Sequence, residues 1–571
     1  MRCGKLLTAA AAAAMAVAAC GGTSTPSSPN SSGKVGGTMV IDNENGNPWV
    51  CGFNPWGGNG FLAVGFVYEP LYMADILKTT SSGTLYYPWL ATSYTWNSND
   101  TQLTWTIRSG AKWSDGQAFT AQDVVYTFNL MAKYAALDLN ALMSANGGPI
   151  TAVTLSGTNQ VVMSFNTNGL PYFYYVADQT PIVPQHILQN VPASQLTQNS
   201  WQDLNPVGTG PYTVTNCQSN NITYTANAHY WQSTPGNPVP KIKTLLYPAF
   251  ETNDDANLEL EQGVAQWGAQ YIPNIKQAYV QGNSNRHYYF AGVEPNVSIY
   301  INTTVAPLSD VKVRQAIAYA INRSDVSQKG ESGYEPPANQ TGVETPVFQS
   351  WYDSSANPEG YEPSQATSLL ESDGYTMNSS GVMQNAAGQQ LSFTLQTVEG
   401  YTDWDASLQV IQQELKAVGI QISVVDENNS SVLEPNLHDG DFTLAYYEQP
   451  AGGPTPYYEL KDALDSNNIN PTTGTNYSQF NNPQAEQYIS QYAAATTVSA
   501  QQQAIDGLSQ IMVQDVPYVP VTEGVAWYQY DTTCISGWPT QADPYALGAV
   551  WATPDNGNVL THISWTCGSG S

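Results

Sequence analysis

Positive charge is scarce in this chain: 17 Lys and Arg stand against 46 Asp and Glu over 571 residues, a formal net charge of −29. That balance excludes nucleic-acid binding, which needs cations clustered on phosphates. Charge of either sign is thin, at 11% of residues against about 25% in ordinary soluble domains. The polar surface is therefore built from Asn, Gln, Ser, Thr and Tyr, while a 42% hydrophobic share is enough for folded cores. There is no GxxxxGKS/T phosphate loop, so the chain cannot power transport itself. There is no GxSxG nucleophile elbow either. The five histidines are scattered, with no HxxxH pair and no CxxC spacing, which argues against a metal site. Beyond the N-terminal stretch no apolar run is long enough to span a bilayer.

The N-terminus reads as an export signal. Arg2 and Lys5 precede the apolar run LLTAAAAAAMAVAA, which ends in VAAC, Val17 to Cys20. A basic start and a short apolar core make residues 1–19 a signal peptide. VAAC resembles the bacterial lipobox, which makes Cys20 the lipidated first mature residue. Residues 20–37, rich in Gly, Ser, Thr, Pro and Asn, form a flexible tether of roughly 20 Å average span. Cys3 leaves with the signal, so Cys51, Cys217, Cys534 and Cys567 remain in an oxidising compartment, where disulfides form. Four cysteines allow three connectivities; proximity in sequence favours Cys534 with Cys567, leaving Cys51 with Cys217.

The stretch TWTIRSGAKWSDGQAFTAQDVVYTF, Thr104 to Phe128, combines a strand, an Asp115-Gly116 turn and a helix capped at Thr120 with Asp123 in its first turn. Farther on, Val313, Ile317 and Ile321 make an apolar stripe behind a capping Asp310. LQVIQQELKAVGIQISVV reads as a helix closed at Gly419, followed by a strand alternating Ile420, Ile422 and Val424. Recurring helix and strand imply an α/β architecture. The acid pairs Asp254-Asp255 and Glu259/Glu261 read as a solvated helix face rather than as catalytic carboxyls.

These segments resemble the extracellular solute-binding proteins of ABC importers, family 5, the peptide- and nickel-binding class. TIRSGAKWSDGQAFTAQDVVYTF resembles its most recognisable signature. VYEPLY (from Val67), NPVGTGPYTV (from Asn205), ANAHYWQ, LSDVKVRQAIAYAINRSDV (from Leu308), YEPSQATSLLESDGY and VIQQELKAVGIQISV follow in family order. The resemblance implies a type II, two-lobed periplasmic-binding-protein-like fold, hinged by two crossing strands. Lobe I would span 38–300 with an inserted subdomain near 81–204, lobe II 301–520, and 521–571 would return to lobe I. Arg314 is expected to hold lobe II together through an ion pair.

By the same resemblance the chain is a non-enzymatic, monomeric, lipid-anchored component on the outer face of a bacterial cytoplasmic membrane. It captures peptides by lobe closure and hands them to separate permease and ATPase subunits, without a cofactor. Peptide-binding relatives hold the ligand's amino group with an Asp that is missing from FTLAYYEQPAGGPTPYY here; Glu448 is the stand-in. Gln266 likewise replaces a structural family Asp. The missing Asp and the 15 Trp and 36 Tyr keep an oligosaccharide ligand open as the alternative. A secreted glycoside hydrolase and a ligand sensor rank below both. The candidate ligand contacts are Trp49, Tyr401, Trp404, Tyr446, Tyr447 and Glu448.

Overall fold

The computed structural model describes residues 35–42, 48–80, 83–250, 252–345, 347–356, 360–427, 430–448, 452–470 and 474–568. The signal peptide, Cys20 and nearly all of the tether lie outside the described residues.

Two sheets frame the molecule. The first has seven strands, in the order Arg286–Tyr288, Gln529–Asp531, Trp267–Gly268, Gly36–Asp42, Ile242–Pro248, Asn221–Ala226 and Tyr212–Gln218. Gly36–Asp42 runs parallel to both of its neighbours, so its carboxyl end and that of Trp267–Gly268 emerge at the same edge. The second sheet has five strands, in the order Gln421–Glu427, Ser392–Val398, Leu444–Glu448, Val297–Ile301 and Tyr518–Thr522. Ser392–Val398 is parallel to Gln421–Glu427 and to Leu444–Glu448. The helix Thr402–Ala417 makes the crossover that a parallel pair requires. Gly419, at φ 84°, closes that helix as expected for a position where a side chain would be strained.

The chain crosses between the sheets twice, entering the second at Val297 and leaving it after Thr522. Val297–Ile301 thus belongs to the second sheet, a few residues ahead of the expected boundary at 300.

A four-stranded sheet, Ala91–Trp96, Gln102–Ile107, Gln160–Phe165 and Ile150–Ser156, lies inside the expected insert. The helix Ala121–Lys133 packs on it. Asp123 accepts from the Thr120 backbone N–H at 2.9 Å, and Gly116 turns at φ 90°. The turn and cap read from the sequence are both present.

Both disulfides follow the favoured pairing, Cys51–Cys217 and Cys534–Cys567. Arg314 corrects an expectation. Instead of meeting a carboxylate, its buried guanidinium donates to the carbonyls of Asp515 and Val516 and of Leu308 and Ser309, at 2.7–3.0 Å. Asp515 ends the helix Val498–Asp515, whose last carbonyls lack intrahelical donors and attract a cation. The residue does hold the lobe, but through backbone carbonyls.

Candidate functional site

Strand carboxyl ends leave backbone ends and loops facing a crevice, which is where α/β sheets bind ligands. Here the ends of both sheets meet at one cavity of about 390 Å³, within the size range of small-molecule sites. The first-sheet wall presents Phe61, Asn253, Gln270, Tyr271, Trp527 and Trp551. It is aromatic and amide in character. The second-sheet wall presents Tyr401, Trp404, Tyr447 and the carboxyl groups of Glu335, Asp403, Glu434 and Glu448. Glu294, just ahead of the first crossing strand, adds a fifth carboxyl. Among the described residues no Lys, Arg or His lines the cavity.

The local sequence accounts for these positions. Tyr401 precedes the helix Thr402–Ala417, so Asp403 and Trp404 sit in its first turn, directly after the end of Ser392–Val398. Tyr447 and Glu448 close the strand Leu444–Glu448. Strand side chains alternate between faces, and Tyr446 accordingly turns away from the cavity. It is fully buried and meets Trp404 edge-on, with ring centroids 5.6 Å apart. Trp49 also stands outside the cavity. Its indole N–H donates to the Tyr247 carbonyl at 2.8 Å, and its ring packs behind Phe61. Of the expected contacts, the structure brings together Tyr401, Trp404, Tyr447 and Glu448, and sets Trp49 and Tyr446 behind the walls.

The walls touch across the cavity. Asn253 Nδ2 donates to Asp403 Oδ1 at 3.1 Å, and the Tyr271 hydroxyl lies 2.6 Å from Ser332 Oγ.

The carboxyls differ in how they are held. Glu335 accepts from the Thr522 hydroxyl at 2.6 Å, and Glu434 from the Tyr447 hydroxyl at 2.8 Å. Glu294 and Glu448 have no hydrogen-bond donor among the described residues. Burial in a low-dielectric enclosure penalises the charged form. It pushes the buried Glu335 up to about 8 and the buried Asp403 to about 6, and the surrounding protein carries the half-buried Glu294 to about 8 and the exposed Glu448 to about 7. Neighbouring acids push the same way: Glu434 and Asp403 on Glu448, Glu448 and Glu344 on Glu294. Glu448 is the hub of this field.

Sequence reasoning missed Glu294, Glu335, Glu434 and Asp403. Asp403 lies within the YTDW segment that drew attention for its aromatics. The other three come from segments far apart in sequence, and only the fold assembles them. Among the described residues no three His, Cys, Asp or Glu converge to hold a metal ion. Gln266 has a structural role, accepting from the Val40 N–H at 2.9 Å and donating to the Val264 carbonyl at 2.7 Å. The pairs Asp254-Asp255 and Glu259/Glu261 lie on the helix Asn253–Gln262, and none of the four carboxyls lines the cavity.

Residues 86–471 match the bacterial extracellular solute-binding proteins, family 5 (middle region), and the chain belongs to that family. It is 24% identical over 401 residues to the nickel-binding periplasmic protein of Escherichia coli (strain K12), covering 68% of this chain and 71% of that one. It is 25% identical over 383 residues to the oligopeptide-binding protein OppA of Lactococcus lactis subsp. lactis, covering 59% and 62%. Among solved structures, an oligopeptide ABC transporter periplasmic binding protein of Thermotoga maritima with mannohexaose bound superposes with a TM-score of 0.83. It is 24% identical, and the match covers 93% of this chain and 99% of that one. AppA of Bacillus subtilis, in complex with a nonapeptide, gives 0.77 at 20% identity, covering 94% and 100%. These neighbours establish the two-lobed fold. No helix among the described residues is long and apolar enough to cross a membrane.

Proposed function

We propose that this protein is the extracytoplasmic, Cys20-anchored solute receptor of an ABC importer, which closes its lobes on a peptide and delivers it to a separate permease and ATPase. One observation carries the reading: a single cavity whose walls come from the carboxyl ends of two different sheets. A ligand there touches both lobes at once, and contacts made only when the lobes meet favour the closed form. The Asn253–Asp403 and Tyr271–Ser332 bonds are of that kind. Glu448, with no donor among the described residues, takes the peptide's amino group in this reading. The protein binds and releases its ligand unchanged, as a monomer and without a cofactor.

A second reading, an oligosaccharide ligand, is favoured by the opposite wall. Phe61, Tyr271, Trp527 and Trp551 offer stacking faces, and Asn253 and Gln270 offer amides for hydroxyls.

A thermal-shift screen of the body from residue 21 onward, against short peptides and oligosaccharides, tests the reading. Ligand at a hundred times its Kd adds about 2.7 kcal/mol, a visible rise in melting temperature. Stabilisation by neither panel contradicts the reading. The anchor is tested separately: Cys20→Ala is expected to release the protein from membranes.

A further inference from the structure

Resting on that reading of the cavity as a solute site, we propose that its cargo is cationic: a peptide or related ligand that brings at least two ammonium or guanidinium groups into the cavity and leaves any carboxylate of its own outside it.

The charge balance of the lining leads there. Glu294, Glu335, Asp403, Glu434 and Glu448 face one enclosed space with no basic side chain among the described lining residues. Five carboxyls around one cavity, two of them buried, repel one another when ionised without counter-charge. An amphoteric peptide lying wholly inside would put its own carboxylate among them with no cation to meet it. One cation leaves most of the field uncompensated, whereas two spaced cations can reach both the Glu294–Glu448 side and the Glu335–Asp403 side.

Two further observations are independent of the acid count. Trp404, Tyr447, Trp527 and Trp551 bring ring systems to the same space, and such faces attract ammonium and guanidinium groups. The carboxyls are also spread around the walls instead of converging on a point, a layout for an extended cation and not for a metal ion.

Raised carboxyl pKa values give the proposal a second readout. Glu448 interacts with Glu294, Glu335, Asp403 and Glu434, and with the Tyr447, Tyr300 and Tyr477 hydroxyls. At pH 7 Glu294, Glu335 and Glu448 are partly protonated, so a bound cation draws protons off them. Affinity therefore falls as pH drops from 8 to 5, and binding at pH 7 releases protons to buffer.

The test is calorimetric titration of the body with four probes: trilysine amide, spermidine, trialanine with a free carboxylate, and mannohexaose. The emission of the lining Trp residues reports occupancy. Trilysine amide should bind at least tenfold tighter than trialanine or mannohexaose, with an apparent enthalpy that depends on the buffer's ionisation enthalpy. Spermidine binding alongside it shows that ammonium chemistry suffices; binding of trilysine amide without spermidine supports the proposal with a peptide backbone required. Glu448→Gln should weaken trilysine amide at least tenfold while leaving the circular dichroism intact, and Glu294→Gln serves as the second variant. Equal or tighter binding of a neutral probe overturns cation selectivity but leaves solute binding standing. Failure of both cationic probes to bind a folded protein overturns it too. The solute-receptor reading is judged apart, by whether the lobes close on whichever probe binds.

Discussion

Two glutamates, Glu69 and Glu448, are both pushed up to about 7 by the protein packed around them, yet they sit in opposite surroundings: Glu69 is buried, whereas Glu448 stays exposed at the end of its strand. Glu69 accepts from the indole N–H groups of Trp89 and Trp231 at 2.8 and 2.9 Å and from the Tyr230 hydroxyl at 2.9 Å. Arg108 lies over the Trp231 ring, 4.2 Å from its centroid. Both oxygens have protein donors, so this carboxyl is part of the scaffold. Glu448 faces a cavity with other acids around it and no donor among the described residues. The same titration shift thus arises at a finished network and at an unfinished one, and only the unfinished one has reason to bind. Shifted pKa values locate burial; hydrogen-bond bookkeeping separates structure from function.

The largest expected effect is at the finished network. Glu69→Ala leaves two indoles and a phenol buried without an acceptor, each worth about 1–3 kcal/mol. Chemical denaturation should show a loss on the order of 3 kcal/mol or more. Glu448→Gln should change stability little. Comparable losses in the two variants would break the contrast.

Next comes a tryptophan pair. Trp49→Ala removes a buried ring and its hydrogen bond to Tyr247, with an expected loss of about 3–5 kcal/mol and little direct effect on a bound ligand. Trp527, half-buried and facing the cavity, should show the reverse: Trp527→Ala weakens binding several-fold by fluorescence titration with a smaller change in stability. If Trp49→Ala, still folded, loses binding as fully as Trp527→Ala, the wall and its backing are not distinct.

The smallest effect is global. Glu294, Glu335, Glu448, Asp403 and Glu69 all have folded-state pKa values raised to about 6–8, above the usual value near 4. The folded protein then holds more protons than the unfolded chain between those limits. Its stability is full below about pH 4 as far as these groups are concerned, and is lost as pH rises through 6–8. The ligand-free body should melt several degrees higher at pH 5 than at pH 8. A melting point that rises towards pH 8 would mean these carboxyls ionise without penalty.

Local signals in the sequence translated directly. The Thr120–Asp123 cap, the Asp115-Gly116 turn, the Gly419 helix end and both disulfides needed only near neighbours or a short list of pairings. The cavity was half legible. Tyr401, Trp404, Tyr446, Tyr447 and Glu448 could be named from the resemblance, but which tyrosine of the pair faced the cavity depended on strand phase, and Tyr446 pointed the other way. Trp49 was a sound aromatic near the first strand, but a carbonyl on Tyr247, far away in sequence, claimed its N–H. Glu294 and Glu335 gave no local sign at all. They matter because two crossing segments deliver them to the same space, and that is a property of topology. Arg314 shows the converse: a cation reads as half of an ion pair until the helix whose end it caps is in view.

The most direct test of the account is small-angle X-ray scattering of the body with and without a saturating ligand from the binding screens. Walls drawn from two sheets around one cavity require the bound form to be the more compact. A radius of gyration that falls on saturation, and does not fall for Glu448→Gln at the same ligand concentration, is the expected result. Saturation by calorimetry with an unchanged radius of gyration would contradict closure of two lobes on a shared ligand.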